Sequence, residues 1–348
     1  MLHSLPNALR WLLLAAVVVL ALYPLYGGWL LGEKETFFLQ KLTTMMILAI
    51  FAMSLDLLVG VTGLVSLGHA LFFGLSGYVL ALTAPAYEAA SLWLTLPLSL
   101  AASAAAALVI GLLSIRTSGI YFIMVTLAFG QMFFYFFNDS ALAGGSDGLY
   151  IYFKPEVKLA GFELLDLEDK QNFFYLALGA MVGVYLFLRI LLRSPFGQVL
   201  QGIHANEHRI RALGYNATAF KLVSFVIAGT LAGLAGFLAA AQFGFVNPSN
   251  LHWHASGSAL MMVIMGGMGT LFGPALGAFA FELLHYVYED LTEHWLLLMG
   301  LTVISMVLFL PKGLGGLLLV LTAPKAKSPL PARGGLKPKL VNPKEIGR

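Results

Sequence analysis

Cysteine is absent from the 348-residue chain. That excludes disulfides, thiolate metal sites and thiol nucleophiles. Charge is scarce too: Asp, Glu, Lys and Arg make up 11% of the residues, against roughly 25% in an ordinary soluble domain. No G-x-x-x-x-G-K-[ST] segment occurs, so the chain has no phosphate-cradling loop and is not expected to hydrolyse a nucleotide itself. No set of His, Asp and Glu has metal-ligand spacing on a shared helix face. The nearest approach, His252-Trp253-His254, is expected to turn its two rings to different sides of a helix, so no metal site is expected. G-x-S-x-G is not found at a strand-to-helix turn. Enzyme chemistry is therefore unsupported. Nucleic acid is not an expected partner either, because the only basic cluster is a tail beside a greasy body.

What fills the chain is apolar. Hydrophobic residues make up 59% of it and the mean hydropathy is +0.86. Such a chain cannot hide its apolar surface by folding in water. Runs of about 20 apolar residues recur, which points to spanning helices rather than to barrel strands of about ten alternating residues. The expected fold is an all-α polytopic membrane protein of about 8–10 transmembrane helices, some broken or re-entrant. The runs lie at about 11–31, 38–59, 61–83, 90–115, 119–138, 172–192, 217–242, 256–270, 272–288 and 295–320. The first, Trp11 to Leu31, lacks a small-residue cleavage site and reads as a retained helix. Residues 1–37 form an N-terminal end and first span, 38–322 the main transmembrane domain, and 323–348 a tail.

Lys and Arg in short loops give the direction. Arg10, Arg116, Arg189, Arg193, Arg209, Arg211, Lys221, Lys312 and the tail all fall on one side if there are ten crossings. Both termini are then cytoplasmic, and counting 256–288 as a re-entrant pair leaves that parity unchanged. The 139–171 segment, with seven acids and three lysines, is expected outside. The tail is rich in Pro, Gly and Lys and lacks periodicity, which reads as a basic disordered cytoplasmic segment near anionic membrane lipid.

Ionisable groups within the runs are few: Lys41, Asp56, His69, Glu282 and His285. Charge inside a membrane is costly and points to function. Asp56 and Glu282 are expected near span ends, where water is close and a structural role suffices. His69 sits deeper, within a run interrupted by Gly63, Gly68, Gly74 and Gly77. Gly266, Gly267, Gly269, Gly273 and Gly277, with Pro274, interrupt a second region too densely for a continuous helix. "SLGHALFFG" and "TLFGPALGA" share a loose pattern that hints at an internal duplication. Gly229, Gly233 and Gly236 have the small-xxx-small spacing of close helix packing.

The polar stretch Ser194–Asn216 stands apart from all this. Ser194-Pro195 reads as an N-cap followed by proline at the first helical position. Val199 and Ile203 share one face. Asn206 is a second cap, just before Glu207, whose charge suits a helix N-terminus. Glu207 and Arg211 form an i,i+4 pair, and Gly214 fits a helix C′ position. The expectation is two short helices, the second over Glu207–Leu213.

Five segments, "TGLVSLGHALFFGLSGYVLAL" (62–82), "TSGIYFIMVTLAFGQMF" (117–133), "GGSDGL" (144–149), the 194–216 stretch and "MMVIMGGMGTLFGPALGA" (261–278), resemble the permeases of branched-chain amino-acid ABC importers, in that family's order. The match is nearer the M-type member of the permease pair and covers about Met45 to Leu321. The resemblance implies a bacterial inner-membrane complex: a second related permease, two cytoplasmic ATP-binding subunits and a periplasmic amino-acid-binding protein. No cofactor would be bound by this chain, since ATP and Mg²⁺ are used by the partner subunits. It implies that the 194–216 helices couple to the ATPases through Asn206, Glu207, His208, Arg209, Arg211 and Gly214. Ser66, Gly68, His69, Gly266, Gly267 and Gly269 are the expected pathway residues. Related substrates include urea and other amino acids. Composition alone leaves an ion-coupled secondary transporter, carrying protons or sodium on Asp56 or Glu282, as the alternative.

Overall fold

The computed structural model describes residues 6–85, 87–159 and 162–322. The basic tail, 323–348, lies outside the described residues. Twelve helices are described: α1 (Asn7–Leu31), α2 (Glu35–Asp56), α3 (Ala70–Thr83), α4 (Leu92–Ser114), α5 (Ile120–Asp139), α6 (Lys170–Arg193), α7 (Pro195–Ala212), α8 (Ala217–Phe243), α9 (Trp253–Gly266), α10 (Phe272–Leu291), α11 (Trp295–Phe309) and α12 (Gly313–Thr322). Two short antiparallel ribbons complete the structure. β1 (Leu149–Tyr150) pairs with β4 (Phe245–Val246), tying the 139–171 segment to the end of α8, and β2 (Val157–Leu159) pairs with β3 (Phe162–Leu165).

At the centre lies α2. A helix that is apolar all round belongs inside, and every residue from Ala49 to Val59 is buried. It packs against α6, α8, α9 and α10. Its last turns widen into a π-helical stretch, Leu57–Thr62, closed by Gly63 in the left-handed region at φ +78°. The glycines of α8 do what their spacing promises. A side chain at Gly229 would meet Ala107 and Phe72, one at Gly233 would meet Ser103, and one at Gly236 would run into the Phe73 carbonyl. Close approach of α8 to α3 and α4 is therefore built from absent Cβ atoms.

Each of the ten apolar runs lies on at least one helix. Among the described residues, six helices are long and apolar enough to cross a membrane, and the pair α11–α12, bent by 40°, makes a seventh. This is fewer than the expected eight to ten. α3 has only 14 residues, because the chain between Gly63 and His69 is not helical. α9 also has 14, and α10 carries Glu282, Glu289 and Asp290 within its 20.

Candidate functional site

Two regions carry the sequence-expected site residues. In the first, Ser194 caps α7 by accepting the Gly197 N–H at 3.5 Å, with Pro195 behind it. Val199, Leu200 and Ile203 are buried. At Asn206 the backbone leaves the helix (φ −164°, ψ 98°), and the Asn206 side-chain oxygen accepts the Arg209 N–H at 3.0 Å. A second helical segment thus starts at Glu207. It ends in a Schellman closure: Gly214 N–H to Arg211 C=O at 3.0 Å, Tyr215 N–H to Ile210 C=O at 3.3 Å, and Gly214 at φ +89°. Ile210 reaches back to Gly202, leaving only 2.6 Å between its Cδ1 and the place a Cβ would occupy. The two-helix reading holds, and the second helix folds onto the first.

Glu207 is the electrostatic centre of this loop. One carboxylate oxygen accepts from Arg211 at 2.5 Å and the other from Lys221 on α8 at 2.6 Å. Burial alone would raise the Glu207 carboxyl. Hydrogen bonds and charge from Lys221 and Arg211 outweigh it and hold the group below its ordinary range. His208, Arg209, Arg211, Leu213 and Gly214 are exposed. Leu213, at 68%, is an apolar side chain left facing outward just after Arg209 and Arg211. Two residues of this region were not singled out from the sequence. Lys221 entered the sequence reading only as a loop charge. His204 had no signal, although its Nδ1 lies 3.2 Å from the Val61 carbonyl at the end of α2.

The second region is the pair of glycine-rich breaks. Ser66 and His69 are both fully buried. His69 stacks on Phe51 (5.5 Å, 13°), and its Nε2 lies 2.8 Å from the Ser54 hydroxyl. The next amide, Ala70, donates to Ser256 on α9 at 2.8 Å. Gly68 has no room for a side chain, because a Cβ there would strike the Thr126 carbonyl of α5. At the other break, α9 stops at Gly266 and α10 starts at Phe272. Gly267 (φ +102°) lies against the Lys312 carbonyl, and the Gly269 N–H donates to Asp56 at 2.7 Å. The structure thus forms one set in which His69 meets Ser54, the adjoining amide meets Ser256 and Gly68 meets Thr126, with Ser66 buried on the same stretch. In a second set Gly269 meets Asp56 and Gly60, while Gly266 and Gly267 meet Gly273 and Lys312. Among the described residues no hydrogen bond joins one set to the other.

Three expectations need correction. Asp56 and Glu282 do not sit near water. Asp56 is fully buried, and Glu282 is buried and paired with Lys41 at 3.0 Å. Their partners lie 213 and 241 positions away in the chain, which is why span ends looked sufficient. The rings of His252 and His254 do not diverge either. They stack with centroids 4.7 Å apart, because His252 is the extended N-cap of α9 rather than a helical residue.

Residues 37–309 match the family described as the permease component of branched-chain amino acid transport systems. The chain is 31% identical over 304 residues to the high-affinity branched-chain amino acid transport system permease protein LivM of Salmonella typhimurium, covering 82% of this chain and 70% of that protein. The LivM of Escherichia coli is 30% identical over the same length and the same shares. A shorter match, 31% over 104 residues, covers 28% of this chain and 31% of the autoinducer 2 import system permease protein LsrC of Photorhabdus laumondii. No solved structure matches. With its apolar helices and these relatives, the chain is a multi-pass membrane protein that belongs to the branched-chain amino acid transport system permease component family.

Proposed function

We propose that the chain is one of two related permease subunits of an ATP-driven importer of branched-chain or closely related amino acids in the bacterial inner membrane. The observation that carries this reading is the exposed, doubly capped helix Glu207–Ala212, with its outward Arg209, Arg211 and Leu213. Nothing among the described residues buries that surface, and a rigid helix that presents arginines and ends in an exposed leucine is a fit contact for another protein's cleft. In a chain without a phosphate-cradling loop, it is the place where a partner's ATP hydrolysis would be felt. Two cytoplasmic ATP-binding subunits, a second permease and a periplasmic binding protein complete the assembly. No cofactor is assigned to this chain; ATP and Mg²⁺ belong to the partners.

Ten crossings with both termini cytoplasmic fit the contacts of the broken regions. The end of α2 meets His204 of the α7 loop, so it lies at that loop's side. Gly68 then lies against Thr126, inside α5, so the 63–69 stretch climbs back into the bilayer and α3 finishes the crossing. Leu251 packs on Gly74 of α3, so the chain entering α9 also dips below the surface before its helix starts. Both broken crossings therefore pair a half that is not α-helical with an α-helical half, the second entered through a short 3-10 turn at Pro248–Leu251. Movement of the 63–69 stretch would open Ser66 and His69 to a mainly apolar passage suited to a branched side chain, with few polar groups for the zwitterion.

An ion-coupled transporter is disfavoured, because Asp56 and Glu282 are both engaged within the chain. The decisive measurement is ATP hydrolysis and amino-acid uptake by proteoliposomes holding the chain with its ATP-binding subunits, second permease and binding protein. Substrate-stimulated hydrolysis with uptake of leucine, isoleucine or valine is expected. Uptake by this chain alone, driven by an ion gradient, would sink the proposal. Stimulation by urea instead would redirect the substrate assignment within the same mechanism.

A further inference from the structure

Besides the buried apolar face of its first helix and the stacking of Phe196 on Phe220, the 194–216 loop makes one polar contact with the membrane body on each side of the Asn206 break. After the break, Glu207 grips Lys221, a side chain of α8 that is only 10% exposed. Before the break, His204 reaches a different element. Its Nδ1 lies 3.2 Å from the Val61 carbonyl, one of the acceptors that a helix end leaves without an internal partner. A carbonyl can only accept, so the proton of that bond sits on Nδ1. The same ring lies against Gly63, with its Cδ2 3.2 Å from where a Cβ would be. Gly63 is in the left-handed region and begins the non-helical stretch that leads to Ser66, Gly68 and His69.

We propose that His204 is a positioning residue: it transmits movement of the coupling loop to the start of the broken third span, while Glu207 and Lys221 hold the neighbouring half of the loop to α8. The proposal rests on the reading of residues 206–214 as the ATPase-docking surface. His204 lies outside that surface. A pull on the second short helix bends the loop at Asn206, and His204 carries the displacement of the first helix to Val61 and Gly63. Asn at this position keeps a short amide donor near the place of Nδ1. Gln keeps bulk and polarity but moves the donor beyond it.

The test uses the full complex of both permeases, the ATP-binding subunits and the binding protein. His204→Ala and His204→Gln are expected to assemble and keep basal ATP hydrolysis, but to lose at least about fivefold in uptake per ATP hydrolysed. His204→Asn is expected to restore most of that ratio. If His204→Ala does not assemble, the Asn-against-Gln comparison decides, and equal ratios overturn the proposal. Wild-type coupling in His204→Ala and His204→Gln overturns it too. Loss of ATPase binding in all three variants would place His204 in docking and also overturn it. Failure of the underlying docking reading looks different: an Arg209→Glu, Arg211→Glu double variant would then bind the ATPases and transport normally, whatever His204 does.

Discussion

Gly60 and Gly214 both resist a side chain, for unlike reasons. A Cβ at Gly60 would fall on the Asp56 carboxylate and the Gly269 amide, wedging α2 away from the 267–271 turn. At Gly214 nothing lies within 4 Å, and only the φ of +89° opposes substitution. Gly214→Ala therefore costs backbone strain alone, about 1–2 kcal/mol. Gly60→Ala is expected to lower the thermal unfolding midpoint of the detergent-purified chain. Gly214→Ala is expected to fray the short exposed helix locally, lowering that midpoint less than Gly60→Ala does while weakening association with the ATPases. Asp56 offers a second contrast. Asp56→Ala strands the Gly269 amide, at a cost of about 1–3 kcal/mol, whereas Asp56→Asn keeps an oxygen acceptor. The same thermal measurement should rank them wild type, Asn, Ala. Equal midpoints for Ala and wild type would mean that the carboxylate does not hold the turn.

The short helix after Asn206 has a pH dependence of known sign. The Glu207 carboxyl is depressed in the folded loop, so its ion pairs contribute stability above its ordinary value of 4.5, and this is lost as pH falls through the lower folded value. Amide hydrogen exchange at Arg209–Leu213 is expected to show protection decreasing below about pH 4.5 relative to the rest of the protein. Glu207→Gln should flatten that profile. This element was legible in the sequence because its devices are local: Ser194 with Pro195, Asn206 and Gly214 each act within about four residues. The glycine pattern was legible only in part: the chain leaves the helix at 63–69 and 267–271, but Gly74 and Gly77 lie inside α3 and Gly273 and Gly277 inside α10, where they serve close packing. What the breaks touch was not. Asp56 finds Gly269 across 213 positions and His204 finds Val61 across 143, and no periodicity encodes such pairs. Continuous spanning helices are fewer than the apolar runs because hydropathy does not distinguish a 14-residue helix joined to non-helical chain from one continuous helix. The α3 run has the apolar content of a crossing without its helical length.

Taken whole, the molecule offers a clean topology experiment, because it contains no cysteine. Ser146 and Arg209 are exposed and belong to opposite sides in the ten-crossing arrangement. Ser146→Cys should react with a membrane-impermeant maleimide in intact cells, and Arg209→Cys only after permeabilisation. Labelling of both from outside would overturn the arrangement. The proposed pathway residues need a different probe. Cysteine at Gly68 would strike the Thr126 carbonyl, and at Gly269 it would meet a φ of +75°. Ser66→Cys is nearly isosteric, and its labelling is expected to change with nucleotide state in the assembled transporter. Constant inaccessibility would remove Ser66 from the pathway.

The seams where backbone lies on backbone, Gly236 on Phe73, Gly277 on Met262 and Gly68 on Thr126, have a mechanical consequence. Interlocked side chains behave like gear teeth, and to shift one helix along another they must first be lifted out of register. A glycine seam has no teeth. It behaves as a plain bearing: it stays in close contact under load, yet it permits a small axial slide without any rotamer having to jump. Where such a bearing flanks a broken span, a modest push at one rim can become translation at the middle of the membrane.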